Sequence, residues 1–256
     1  MTFSSKRLLQ FFFLFSFMVL FCLPARVFAQ GQLICIYTSP AGSCWVVPKN
    51  STSKSLLKVG DRVNEGDEII VARDNAVELA LDDQIENIIH IEGEAAVKLS
   101  GTSSADTWNI DVSKGKIFAL LDKKTIGEKF KITTPNAIAA VRGTQYQVWA
   151  DSSDSKIYTY KGKVQVNGRK EDGRPTDESV VVKAGKKTTS HRGEAPKNPE
   201  SMTSDEKRQI DAIRVLVQQS RKAYIDKIRG GETDEKKRGD EKNKEEGLID
   251  RALKEL

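Results

Sequence analysis

The sequence predicts a mainly β protein, an irregular β-solenoid or two-layer β-sandwich of short strands, followed by a C-terminal α-helix and a charged tail. Three observations carry this expectation. From Leu33 to Arg192 the chain is a succession of short β-branched and aliphatic segments, with no competing helical period. Glycines at 66, 93, 115, 162 and 185 punctuate these segments at intervals of 27, 22, 47 and 23, which suits a unit of about 23 residues with one mark missing. After Arg192 a Pro-containing linker leads into an amphipathic helical pattern.

The N-terminus, residues 1–29, reads as a secretory signal peptide. Lys6 and Arg7 precede an apolar run from Phe11 to Leu23, and Val27-Phe28-Ala29 before Gln30 is a small-x-small cleavage site. The run is shorter than the ~20 residues a spanning helix needs, so no stable membrane span is expected once the signal is removed. A lipoprotein signal at Cys22 is the rival reading, but Phe21 stands where a small residue belongs. Export places the mature chain in the periplasm or outside the cell. Cleavage takes three of the 41 basic groups and none of the 36 acidic ones, so the formal charge falls from +5 to +2. That balance gives no electrostatic footprint for nucleic acid.

Residues 30–55 predict an N-terminal β-hairpin, LICIYT and SCWVVP flanking the turn signal Ser39-Pro40-Ala41-Gly42. Cys35 and Cys44 fall on one face of that hairpin as diagonal neighbours, a candidate disulfide in an oxidising compartment. A labile redox pair is the alternative.

Residues 56–192 form the predicted all-β domain. Its strands begin at Leu56–Val59, Glu68–Ala72 and Ala76–Ala80. Asn87–Ile91, Ala95–Leu99, Trp108–Val112 and Lys116–Leu121 follow. Phe130–Thr133, Gln145–Ala150, Lys156–Tyr160, Lys163–Val166 and Ser179–Lys183 complete the series. One stretch stands out, Thr133 to Val148, TTPNAIAAVRGTQYQV. A strand enters at Lys131–Thr134, Pro135-Asn136 bends it, and an Ala/Val run leads into Val141-Arg142-Gly143-Thr144. Strict alternation would carry Arg142 to the face of Tyr146 and Val148, and a buried guanidinium must be paired. Gly143 offers a bulge that flips the alternation and turns Arg142 outward. Arg142 is then either a local staple or a fork that captures an anionic ligand.

This order of residues resembles the signature segment of the FecR protein domain, a family of extracytoplasmic bacterial modules. Thr134, Pro135, Val141, Arg142, Gly143 and Thr144 carry the resemblance and are the candidate binding or structural signature. It implies an all-β fold of stacked, twisted strands over roughly Leu56 to Arg192. In family members that regulate iron uptake, the β-domain receives a signal outside the inner membrane while a cytoplasmic segment holds a sigma factor. Here a cleavable-looking signal stands where that segment would be, so the resemblance implies only the extracytoplasmic recognition half.

Residues 193–202 are a linker, and Thr203-Ser204-Asp205-Glu206 is a capping box. Over residues 203–230, Ile210, Ile213, Val217, Tyr224 and Ile228 fall on one helical stripe that either docks on the β-domain or forms a partner helix face. Gly230-Gly231 is the expected stop, and residues 231–256 read as a charged tail with a short terminal helix.

No constellation for catalysis emerges. His90 sits within a strand and His191 in the polar exit of the domain, and no phosphate loop, nucleophile elbow or zinc-binding motif is present. Asp82 and Asp83 with Asn87 lack the periodicity of a calcium loop. The sequence therefore predicts a non-enzyme without metal or cofactor. It reads as an exported binding or sensing module for an envelope protein or ligand, with a role in cell-surface signalling and homo-oligomers as an option. The alternative is an envelope scaffold assembled through the C-terminal helix.

Overall fold

A pleated strand sends successive side chains to opposite faces, so half-buried strands need a second layer to cover their apolar side. The computed structural model satisfies this with one sheet folded into two layers; it describes residues 32–39, 43–101, 107–122, 129–141 and 143–254. The predicted signal peptide lies outside the described residues. The first strands are short: β1 (Leu33–Thr38), β2 (Cys44–Val47), β3 (Ser55–Leu56), β4 (Arg62–Val63), β5 (Glu68–Val71) and β6 (Ala76–Ala80). Two long strands of 14 residues each follow, β7 (Ile88–Gly101) and β8 (Thr107–Leu120).

The β7–β8 pair organises everything else. Its outer half, Ile88–Glu92 against Lys116–Leu120, pairs on the β7 side with β6. Its inner half, from Ala95 and Ala96 onward, pairs instead with β5. The register slips between Glu92 and Ala96, where the hairpin bends from one layer into the other. Gly115 makes the bend possible. Its φ is +112°, and a Cβ there would lie 2.4 Å from the Cβ of Ala95, so no other residue fits without moving backbone. The sequence pattern reads this pair as four strands because each half has its own apolar run.

After β8 come β9 (Lys129–Thr133), β10 (Ala137–Val141), β11 (Gln145–Ala150) and β12 (Asp154–Lys161). Then follow β13 (Lys163–Arg169), β14 (Pro175–Lys183), β15 (Lys186–His191) and the two-residue β16 (Glu200–Ser201). The first layer runs β4-β1-β6-β7-β8-β11-β12-β15-β16, and the second β3-β2-β5-β7-β8-β9-β10-β13-β14. Of the paired strands described, only β8 and β9 are parallel. One core fills the space between layers, with Leu79, Ile91, Tyr146 and Ile157 from the first and Ile69, Val97, Phe130 and Val166 from the second. Of the two architectures the glycine spacing allows, this is the layered one.

The predicted N-terminal hairpin does not form. β1 pairs with β4 and β6, and β2 with β3 and β5, so the two strands enter different layers. Cys35 and Cys44 are buried free thiols rather than a disulfide. Each thiol is instead held at 3.5 Å from a backbone carbonyl, Cys35 from that of Tyr37 and Cys44 from that of Ala76.

Helix α1 spans Ser204–Lys254. Its start is the expected capping box: Glu206 N–H donates to Thr203 Oγ1 at 3.2 Å, and Thr203 N–H donates to Glu206 Oε2 at 2.7 Å. The expected stop at Gly230-Gly231 is absent, and the helix runs through both. Two glycines cost about 2 kcal/mol of propensity, which a Glu- and Lys-rich continuation can outweigh.

Candidate functional site

The outer face of the first layer, away from the core, presents a cross-strand row that follows directly from the register. Glu78 stands opposite His90, His90 opposite Phe118, Phe118 opposite Gln147, Gln147 opposite Tyr158, and Tyr158 opposite Lys187. Helix α1 lies on this face. Ile210 and Val217 are buried there with Phe118, Ile88 and Leu120, and Ile213 and Tyr224 pack at the margin. Tyr160 donates to Asp211 at 2.9 Å, and Lys187 pairs with Glu206 at 2.7 Å. Four of the five stripe residues thus meet the chain's own sheet. Ile228 is 43% exposed, and Leu216 beside the stripe is 53% exposed.

Where the helix passes β6 and β7 it does not close onto the sheet. A cleft of about 640 Å³ remains, walled by Tyr37, Asp74, Ala76, Glu78, His90, Glu92 and Lys116 from the sheet side and by Leu216, Gln219 and Ser220 from the helix. Its floor is charged. His90 and Glu78 are buried, and Nδ1 of His90 lies 3.0 Å from Glu78 Oε1. Nε2 of the same ring faces Glu92 Oε2 at 3.5 Å, an ion pair too long for a good hydrogen bond. Lys116 closes the row at 3.3 Å from Glu92 Oε1.

Burial alone would push the His90 imidazole down, but Glu78 and Glu92 more than offset it and hold the ring up to about 9. At neutral pH His90 is therefore an imidazolium clamped between two carboxylates. The neighbouring His90 cation, opposed by burial and helped by Lys116, holds Glu92 below its ordinary range. Glu78 Oε2 is buried without a hydrogen-bond partner, and His90 Nε2 meets only the long contact to Glu92. A buried polar atom left unpaired is costly.

The signature segment does different work. Thr134-Pro135-Asn136 is the turn from β9 into β10, where Thr134 Oγ1 accepts from Ala137 N–H at 2.8 Å and lies 2.7 Å from Ser155 Oγ. Asn136 donates to the Asp151 carbonyl at 2.9 Å, its own carbonyl accepts from Ser190 Oγ at 2.8 Å, and Arg169 reaches the Thr134 carbonyl at 3.0 Å. These bonds join β9, β10 and β13 of the second layer to the β11–β12 turn and β15 of the first. They are a buried polar staple at one end of the sandwich. Asn136, Ser155 and Ser190 were not singled out by sequence reasoning; the position of Asn136 beside Pro135 was the available signal.

Val141 is buried at the end of β10, and Gly143 has φ 61°. The buried positions change parity across it, from Ala137, Ala139 and Val141 to Thr144, Tyr146 and Val148, as the chain crosses between layers. Thr144 Oγ1 donates to the Lys163 carbonyl at 3.2 Å. Arg142 itself lies outside the described residues. His191 pairs with Asp154, and Asp82 caps its own loop, accepting from the backbone of Glu86 and Asn87. Among the described residues no group of three or more His, Cys, Asp or Glu could hold a metal ion, and no helix is long and apolar enough to cross a membrane.

A solved structure similar to this one is that of a candidate anti-sigma factor from Parabacteroides distasonis ATCC 8503, seen in crystals at 1.65 Å and 2.50 Å resolution. Each shares 15% identity, with a TM-score of 0.44, over 54% of this chain and 61% of the other. The match therefore spans less than two thirds of that protein's chain. No curated protein matches this sequence. Residues 67–165, from Asp67 ahead of β5 to Gln165 in β13, match the FecR protein family. The match takes in Glu78, His90, Glu92, Lys116 and the whole of the signature segment.

Proposed function

We propose that this chain is an exported, non-catalytic FecR-type sensing module, acting in the periplasm or outside the cell and recognising an envelope protein or ligand. The FecR match over residues 67–165 is the observation that carries this reading. Two features of the site support it. Glu78, His90 and Glu92 form an ionic row, buried at Glu78 and His90, rather than a nucleophile with its base, and the row opens to a cleft instead of a closed reaction chamber. The scaffold alternative gains nothing from α1, because Ile210 and Val217 are covered by the chain's own sheet.

The test joins fractionation to partner capture. The chain should be recovered with the envelope fraction with its first residues removed near Ala29. A photo-crosslinker placed at Leu216, beside the cleft, should yield one discrete adduct in cells. Recovery of the unprocessed chain in the cytosol would refute the export reading, and the absence of any adduct would refute recognition through this face.

A further inference from the structure

We propose that the cleft between β6–β8 and helix α1 is a binding site for the ammonium group of an amine-bearing ligand, with Glu78 Oε2 as its acceptor. The inference deepens the recognition reading above by naming the ligand's chemistry.

The argument begins with the orphan acceptor. Glu78 is 1% exposed, lines the cleft, and spends only Oε1 on His90. Its second oxygen is buried with no donor. A carboxylate oxygen desolvated in this way gains most from a charged donor, because charge-assisted hydrogen bonds are roughly twice as strong as neutral ones. The charges of the walls set the sign of the ligand. Asp74, Glu78 and Glu92 contribute three negative groups against the two positive groups of His90 and Lys116, one short of balance. A single cation completes the set, whereas an anion would face the buried carboxylate of Glu78 and the half-buried one of Glu92.

Shape narrows the cation further. Tyr37, Ala76 and Leu216 give the cleft an apolar side, which suits an alkyl stem carrying a terminal ammonium. The Lys116 amine meets Glu92 at 3.3 Å and does not reach Glu78 Oε2. A free alkylamine and the lysine side chain of a protein partner share this chemistry.

Isothermal titration of the processed chain with cadaverine, with an end-blocked lysine peptide, and with pentane-1,5-diol tests the assignment and separates the sources. Saturable one-to-one binding of either amine, with no binding of the diol, is the expected result. Tighter binding of cadaverine identifies a soluble amine, and tighter binding of the peptide a lysine side chain. Glu78→Gln should weaken binding roughly ten- to a hundredfold. Should that variant lose its near-ultraviolet circular dichroism, Leu216→Arg serves instead. It alters an exposed wall residue and places a tethered cation at the cleft, so it should compete the amine away. Equal affinity for diol and diamine, undiminished binding by a folded Glu78→Gln or Leu216→Arg chain, or no binding of either amine would overturn the proposal. The crosslinking at Leu216 is scored separately, so an adduct formed without amine binding would overturn this assignment while leaving the recognition reading in place.

Discussion

Replacing His90 by Gln, and comparing the two proteins across the pH scale, probes the ionic floor of the cleft more sharply than any other single change. In the folded protein the imidazolium faces Glu78 on β6 and Glu92 on β7, with Lys116 on β8 beyond Glu92, Asp74 at the rim, and only the neutral Gln219 and Ser220 from α1. Its folded value is raised from 6.5 to about 9, so the proton is bound more tightly in the native state than in the unfolded chain. The stabilisation is then fully present below the unfolded value and is lost as pH rises through the folded one. At 1.36 kcal/mol per unit, the interval from 6.5 to about 9 corresponds to about 3 kcal/mol.

Urea unfolding near neutrality and again near pH ~9.5 measures this directly. The stability gap between wild type and His90→Gln should be large at the lower pH and should shrink by about 2 kcal/mol at the higher, since part of the stabilisation is already lost at neutrality. Taking the difference between the two proteins removes the other titrating groups, including Cys35, whose thiol burial pushes up to about 12 and which destabilises the fold only above its ordinary value of 9.0. Glu92 works in the opposite sense, its contribution being lost as pH falls below 4.5. A gap that stays constant, or widens in alkali, would refute the clamped imidazolium.

Three further changes test the framework around the cleft. Gly115→Ala forces a Cβ to within 2.4 Å of Ala95 at a φ of +112°, and should cost at least about 3 kcal/mol in chemical unfolding. Asn136→Ala strips the Asp151 carbonyl of its donor at the staple, and should lower stability by about 1–3 kcal/mol without altering amine binding. Cys35 and Cys44, buried and raised by desolvation, should resist a thiol reagent in the native protein and both react once it is unfolded. Reaction of neither after unfolding without reductant would identify a disulfide instead.

The all-β class and the helix start were legible because both rest on local chemistry. Alternation such as Gln145 to Ala150 fixes a half-buried strand, and the Thr203–Glu206 capping box satisfies two backbone donors within one turn. The layer each strand joins was not legible, since it depends on pairing over long separations. Cys35 and Cys44 look like hairpin neighbours until β1 is seen to pair with β6 and β2 with β5. The cleft was hidden for the same reason. His90 reads as an ordinary half-buried sheet residue, and nothing local reveals that β6 sets Glu78 opposite it. The helix end was missed because Gly230-Gly231 is a strong local stop signal, and the continuation beyond it prevailed.

The polar groups within the FecR match fall into two sets. Its most distinctive sequence, around Thr134 and Asn136, is consumed by hydrogen bonds to Ser155, Asp151 and Ser190 that tie the two layers together. Unpaired buried atoms remain in both places, at Asn136, Gln145, Tyr146 and Gln147 of that segment and at Glu78 and His90 on the face that α1 covers. An occupant that bridges the two walls of the cleft touches Leu216, Gln219 or Ser220 as well as the sheet, which couples its binding to how the helix is seated. A ligand that contacts both sides favours the docked helix by the free energy of its helix contacts alone.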